Sequence, residues 1–317
     1  MSVGQTQTLT IRQRRRRNDQ LARHLMGLLT LAALLLVPLI AAVLFLRARP
    51  ILAAMPLRDL LFSTTWRPQK GAFGFYPFIM GTVWVTAVAM ILAVPPSLLT
   101  AIYLAEFAPP RLRLVVNPLI DLLAGIPSVV YGVWGVLTVV PFVGKAVAPA
   151  LNRWLGALRL FRSDNPTGYN VLSGGIVLAV MVLPVIIAVA QDVIRAVPQG
   201  LREASLALGA TRWQMVRSVV LRRAWAGVMA AVVLGFSRAF GETMAVLMVV
   251  GNVPQVPRSI LDAAYPLTAL IANNYGEMMS IPLYDAALLG GALILLVILF
   301  IFNLAARLVL VRLGRSD

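Results

Sequence analysis

The chain has 317 residues, of which 60% are hydrophobic and 13% charged, with no cysteine and a formal net charge of +16. A mean hydropathy of +0.85 leaves too little polar surface for a water-soluble domain of this length, so the chain is expected to cross a membrane several times. The absence of cysteine excludes disulfides, cysteine-ligated zinc and thiol catalysis, and the positive charge reads as membrane orientation rather than nucleic-acid binding.

Residues 1–24 form a polar, basic tail that includes "RQRRRR" from Arg12 to Arg17. It is expected to be cytoplasmic and disordered up to the membrane surface. Its His24, the single histidine, reads as a headgroup-facing residue without a site role. Leu25–Leu46 follows with 22 uncharged residues, longer than a signal-peptide core, and is expected to be an uncleaved first span. Residues 47–75 are rich in Pro, Gly and aromatics and read as an external loop. Trp66, Phe73 and Tyr76 there suit an interfacial aromatic belt or an external contact.

Five more apolar stretches follow: Tyr76–Ala105, Leu114–Gly144, Val171–Ala190, Ala224–Gly251 and Ala286–Ala306. Each can cross a bilayer core of ~30 Å, which takes ~20 helical residues. A β-barrel would show short alternating segments instead. The fold class is therefore an all-α integral membrane protein with six transmembrane helices, a five-helix core over 76–306 and a short tail at 307–317. With the N-terminus inside, 17 Lys and Arg fall in cytoplasmic segments and 10 in external ones. That asymmetry favours cytoplasmic termini.

Pro95, Pro96, Pro127 and Pro184 lie within spans, where they are expected to kink or unwind the helices. Irregular backbone at membrane depth needs surrounding protein or a water-filled cavity. Gly125, Gly132 and Gly135 permit close approach of another helix. Residues 144–170 and 252–285 read as external loops, the latter irregular because of Pro254, Pro257, Pro266 and Pro282. Asp121 suits a boundary or capping role, and Glu106 and Asp192, at span ends, suit solvation.

The segment between the fourth and fifth spans is "QGLREASLALGATRWQMVRSVVLRRA", Gln199–Ala224. Leu201, Ala204 and Leu208 share one stripe of a short helix. Gly209 is a C-terminal stop, and Thr211 with Gln214 has capping-box spacing for a second helix. Trp213, Val216 and Val220 continue an apolar stripe there. Two short helices around a Gly-Ala elbow form a rigid, partly apolar knob, which is more than a connection requires.

Arg238 and Glu242 lie in "FSRAFGETMAVLMVVGN", Phe236–Asn252, and Arg238 is 14 residues from one end of the expected span and 13 from the other. A charge at mid-membrane costs roughly 2.5–3.5 kcal/mol on insertion scales. At i and i+4 the two are expected to share one helical face and pair. They then read either as a packing ion pair or as the lining of an anion path, since a guanidinium fork suits oxyanions. Glu242, an acceptor only, would take a hydrogen bond from protonated phosphate and repel sulfate, which has no proton to give.

Two sets of motifs carry a family resemblance. Glu203-Ala204-Ser205, Gly209 and Leu221 resemble the "EAA…G" loop of ABC importer permeases, although Arg222 stands where that motif usually has proline. "RAFGETMAVLMVVGN" (Arg238–Asn252), "LLAGIPSVVYGVWG" (Leu122–Gly135), "FGFYPFIMGT" (Phe73–Thr82) and "AIYLAEFAP" (Ala101–Pro109) are similar to permease subunits of bacterial phosphate-specific ABC importers. Met244-Ala245-Val246 favours one of that system's two permeases over its sister, while Asp121 and Pro96-Ser97 depart from the family's usual residues.

The resemblance implies the type I ABC importer permease fold and substrate translocation past Arg238 and Glu242. It also implies an ATPase contact at Glu203, Ala204 and Gly209 in a coupling loop spanning 192–223. The chain has no Gly-rich loop ending in Gly-Lys-Ser/Thr, so no cofactor is expected on it and ATP is expected to be used by separate subunits. The implied partners are a second permease, an ATPase dimer and an extracytoplasmic phosphate-binding protein. A permease for another oxyanion, such as sulfate or molybdate, is the alternative, with a non-transport membrane enzyme or anchor further off.

Overall fold

The computed structural model describes residues 3–165, 167–277 and 281–313. Six of its helices are long and apolar enough to cross a membrane: Asn18–Ala54, Tyr76–Phe107, Ser128–Leu155, Val171–Arg195, Arg212–Phe240 and Tyr284–Arg312. Their number matches the expectation from hydropathy, and several of their ends do not.

Helix α1 (Val3–Ala54) runs unbroken from the basic tail through the first span, so the backbone from Val3 is helical rather than disordered. The segment to the second span holds α2 (Leu57–Phe62) and a two-stranded antiparallel hairpin of β1 (Trp66–Arg67) and β2 (Ala72–Phe73). Trp66 packs edge-on against Phe73 and Phe78 at centroid distances of 5.5 and 4.8 Å, and also meets Phe75 and Tyr284. These aromatics are thus largely a core of their own, and Tyr76 alone of the three expected residues lies against Phe62.

Helix α3 (Tyr76–Ile102) passes through Pro95 and Pro96 without interruption and ends in a wide π-helical turn, Tyr103–Phe107. Pro127 behaves differently. Helix α4 (Pro110–Gly125) stops before it, Ile126 and Pro127 are extended, and α5 (Ser128–Trp134) begins anew. A residue preceding proline is driven out of the helical region. The third span therefore starts at Ser128 rather than near Leu114. It continues through π-helical turns and α6 (Val140–Phe142) to α7 (Ala148–Leu155), well past the expected end at Gly144.

Helix α8 (Val171–Arg195) is the central post of the molecule and carries Pro184 without a break. Its N-terminus is tightly specified. Asn170 Oδ1 accepts from Ser173 N at 2.8 Å, and the Val171 and Leu172 amides donate to Asp262 and Ile260 carbonyls at 3.0 and 2.8 Å. These bonds satisfy helix-start donors that would otherwise be orphaned. Around this post pack α3 and α11 (Leu221–Phe240), reached through α9 (Gln199–Ala207), α10 (Arg212–Met215) and the π-helical turn Val216–Val220.

Close approach depends on glycine. A Cβ at Gly175 would collide with Val88, and one at Gly235 would come within 2.5 Å of Ile186 Cγ1. Helix α12 (Met244–Val249) folds back against α5, where Gly132 faces Met248 and Gly135 faces Val249. Gly125, by contrast, has nothing within 4 Å of its Cβ position. The loop 252–285 contains α13 (Leu267–Asn274) and leads into α14 (Tyr284–Leu313), which packs against α1 at the margin of the molecule.

Candidate functional site

The fifth span ends at Phe240, not at Gly251. Gly241 terminates α11, Glu242 and Thr243 turn the chain, and α12 starts at Met244. Arg238 and Glu242 are consequently not on one helix, and the i, i+4 relationship does not carry across the turn. The expected pair does not form: among the described residues the one ion pair within 4.0 Å joins Arg202 to Glu106.

Each partner does something else. Arg238 is exposed, and its Nη2 donates to the Ala124 carbonyl at 3.5 Å. Ala124 lies at the end of α4, beside the Pro127 break, where the Tyr131 hydroxyl donates to the Leu123 carbonyl at 2.7 Å. Glu242 Oε1 accepts from the Ala245 amide at 3.2 Å, so its carboxylate caps the first turn of α12. The Glu242 carbonyl accepts from Thr268 Oγ1 at 2.8 Å, which ties the turn to α13. Two interrupted helices thus face each other through Arg238, which keeps most of its donors free.

The segment between the fourth and fifth spans matches its expected local structure. Helix α9 ends at Ala207 with Leu208 as its C-cap, Gly209 takes the left-handed conformation with φ of 83°, and Thr211 caps α10. The capping box is complete: Thr211 Oγ1 accepts from Gln214 N at 3.3 Å, and Gln214 Oε1 accepts from Thr211 N at 2.8 Å. Glu203, Ala204 and Gly209 are all exposed, and Leu208 is 90% exposed at the elbow. The second stripe splits, since Val216 and Val220 are buried whereas Trp213 faces outward.

What anchors this knob is a residue that sequence reasoning passed over. Arg202 is buried, and its Nη2 meets Glu106 Oε1 at 2.8 Å, with side chains only 10% and 7% exposed respectively. The same guanidinium donates to the Ile194 carbonyl at 2.8 Å and to the Val197 carbonyl. Glu106 is therefore not solvated as a span-end acid would be. Arg202 and Glu106 are 96 positions apart, and no spacing pattern connects them. Asp121 and Asp192 are exposed.

A helical membrane permease subunit is the class that this fold and these two features define. The family model described as "Binding-protein-dependent transport system inner membrane component" matches residues 97–315, and the chain belongs to that family. It is 39% identical over 259 residues to the phosphate transport system permease protein PstC of Xylella fastidiosa strain 9a5c, covering 81% of this chain and 79% of that protein. It is 40% identical over 251 residues to the probable ABC transporter permease protein YqgH of Bacillus subtilis strain 168, covering 78% and 76%.

Among solved structures, the MetNI methionine ABC transporter in an inward-facing conformation matches with a TM-score of 0.53 at 20% identity, covering 74% of this chain and 93% of that one. A bacterial ABC transporter involved in alginate import matches at 0.55 and 17% identity, covering 89% and 95%. At these identities the likeness shows the fold, and the fold is that of ABC importer permeases.

Proposed function

We propose that this chain is one of two permease subunits of an ATP-driven importer of inorganic phosphate, with both termini in the cytoplasm. The observation that carries the reading is Arg238. It stands exposed in the last turn of a membrane-spanning helix, without a carboxylate partner among the described residues. A packing ion pair would have explained it, and Glu242 is occupied elsewhere. A guanidinium fork held by one backbone carbonyl suits transient binding of an oxyanion. The names of the relatives support phosphate as that oxyanion.

In this reading a second permease covers the exposed side of Arg238, and phosphate passes between the two subunits. An extracytoplasmic binding protein delivers it. The exposed knob around Glu203, Ala204, Leu208 and Gly209 docks on a separate ATPase subunit, which binds and hydrolyses ATP. Glu242 shapes the path by capping α12 and accepts a hydrogen bond from protonated phosphate.

The test is radiolabelled phosphate uptake, with sulfate as competitor, in cells whose own phosphate importer is replaced by this system. Arg238→Gln is expected to lower uptake about 10- to 100-fold, the equivalent of one charge-assisted contact of ~1.5–3 kcal/mol, while assembly stays normal. Full uptake in the assembled variant would remove Arg238 from the path. Competition by sulfate equal to that by phosphate would point to a broader oxyanion permease.

A further inference from the structure

Beneath the knob lies a cavity of about 320 Å³ between the end of α3, the start of α4, the end of α8 and the pair α9–α10. Its charged walls are Arg113, Arg195, Arg202, Arg212 and Glu106. Glu106 neutralises Arg202, which leaves three guanidiniums without a facing carboxylate among the described residues. Their donors exceed the acceptors supplied. Arg113 Nη2 donates to the Ala105 carbonyl at 3.1 Å, and its Nε is buried without an acceptor. Arg195 Nη2 reaches the Leu104 carbonyl at 3.5 Å and, with the Gln191 amide turned, the Gln191 oxygen at 2.8 Å. Exposed Arg212 makes no side-chain hydrogen bond among the described residues. Capping of helix ends accounts for one carbonyl each on Arg113 and Arg195. It does not account for three cations converging on one polar hollow, where like charges destabilise each other unless an anion sits between them.

We infer that this cavity is a second anion site, separate from Arg238, that takes a phosphate group. The ligand is either free inorganic phosphate or the headgroup of an anionic phospholipid, since basic pockets between membrane helices near the surface suit both. Because α10 supplies Arg212, α8 Arg195 and the start of α4 Arg113, one bound phosphate group joins the knob to the membrane helices. The site does not depend on which solute the permease carries.

The experiment uses the full-length chain in the Arg238→Gln background, which silences the membrane anion path. One arm titrates inorganic phosphate, against chloride of equal ionic strength, into nanodiscs of phosphatidylcholine and follows the melting temperature. The other uses nanodiscs containing phosphatidylglycerol and counts retained lipid by native mass spectrometry. Arg195→Gln with Arg212→Gln removes two exposed walls and is expected to weaken binding about tenfold or more in one arm, which identifies the source. Arg222→Gln with Arg223→Gln removes the same charge from exposed positions in the first turn of α11, outside the cavity lining, and is expected to leave binding unchanged. Absence of binding in both arms, or equal loss in the two double variants, would overturn the assignment.

Discussion

Arg238 and Glu242 are four positions apart, and spacing of that kind ordinarily places two side chains on one helical face. Gly241 intervenes and ends the helix, so Glu242 serves the next helix instead of its neighbour. Glu242→Gln keeps a carbonyl oxygen that can cap α12 but adds an amide donor. The expected result is normal assembly with discrimination against sulfate reduced about tenfold, in line with one lost or reversed hydrogen bond to a charged group. Competition assays on the assembled importer read this directly. Unchanged discrimination would leave Glu242 as a cap alone. Arg202 poses the opposite case, a buried cation with every group around it engaged. Arg202→Gln strands Glu106 in the interior, and removing one member of a buried pair costs ~3–5 kcal/mol. The expected outcome is a clearly lower melting temperature in detergent, and Glu106→Leu combined with Arg202→Met is expected to recover part of it.

At the level of elements, the knob around Gly209 was legible because its determinants are local. A glycine at positive φ, a Thr-x-x-Gln box and a short apolar stripe specify two small helices without help from the rest of the chain. The attachment of that knob was not legible, because it depends on a salt bridge between residues far apart in sequence. An exposed apolar elbow carries no folding benefit, so its substitution separates docking from stability. Leu208→Glu is expected to leave the unfolding free energy within about 0.5 kcal/mol of wild type, as surface changes do, and the melting temperature close to unchanged. It is also expected to reduce ATPase-coupled uptake severalfold, and pull-down of the ATPase subunit would show whether the loss lies in binding. The third and fifth spans show how breakers act in context. Pro127 ends a helix, whereas Pro95, Pro96 and Pro184 are absorbed within helices.

On the scale of the whole molecule, α8 is enclosed by its neighbours, whereas the apolar stretch Leu25–Leu46 of α1 and the C-terminal half of α14 expose many apolar side chains. This asymmetry suits a subunit whose margin meets lipid. Arg238 is exposed in the single chain, and a polar path cannot stay open to hydrocarbon on one side. The chain reconstituted by itself is therefore expected to show no gated phosphate flux in liposomes, and co-reconstitution with a sister permease and ATPase subunits is expected to produce ATP-dependent uptake. Robust flux from the isolated chain would contradict a path shared by two subunits.

Hydropathy alone settled that this is a helical membrane protein of six spans, because the cost of exposing backbone and charge to lipid forces that solution on any chain with this pattern. Local motifs specified the two short helices around Gly209 and carried the family resemblance, and the family match and the relatives bear out the resemblance. Where the spans begin and end was decided in three dimensions, since a continuous apolar run does not say whether a Pro or Gly within it will be absorbed or will turn the chain. Tertiary structure also decided that Arg238 stands free, that Arg202 is bound, and that three further arginines gather around one cavity. Each of these outcomes depends on which distant backbone oxygen or carboxylate lies within ~3 Å, and such distances are set by packing, not by order along the chain.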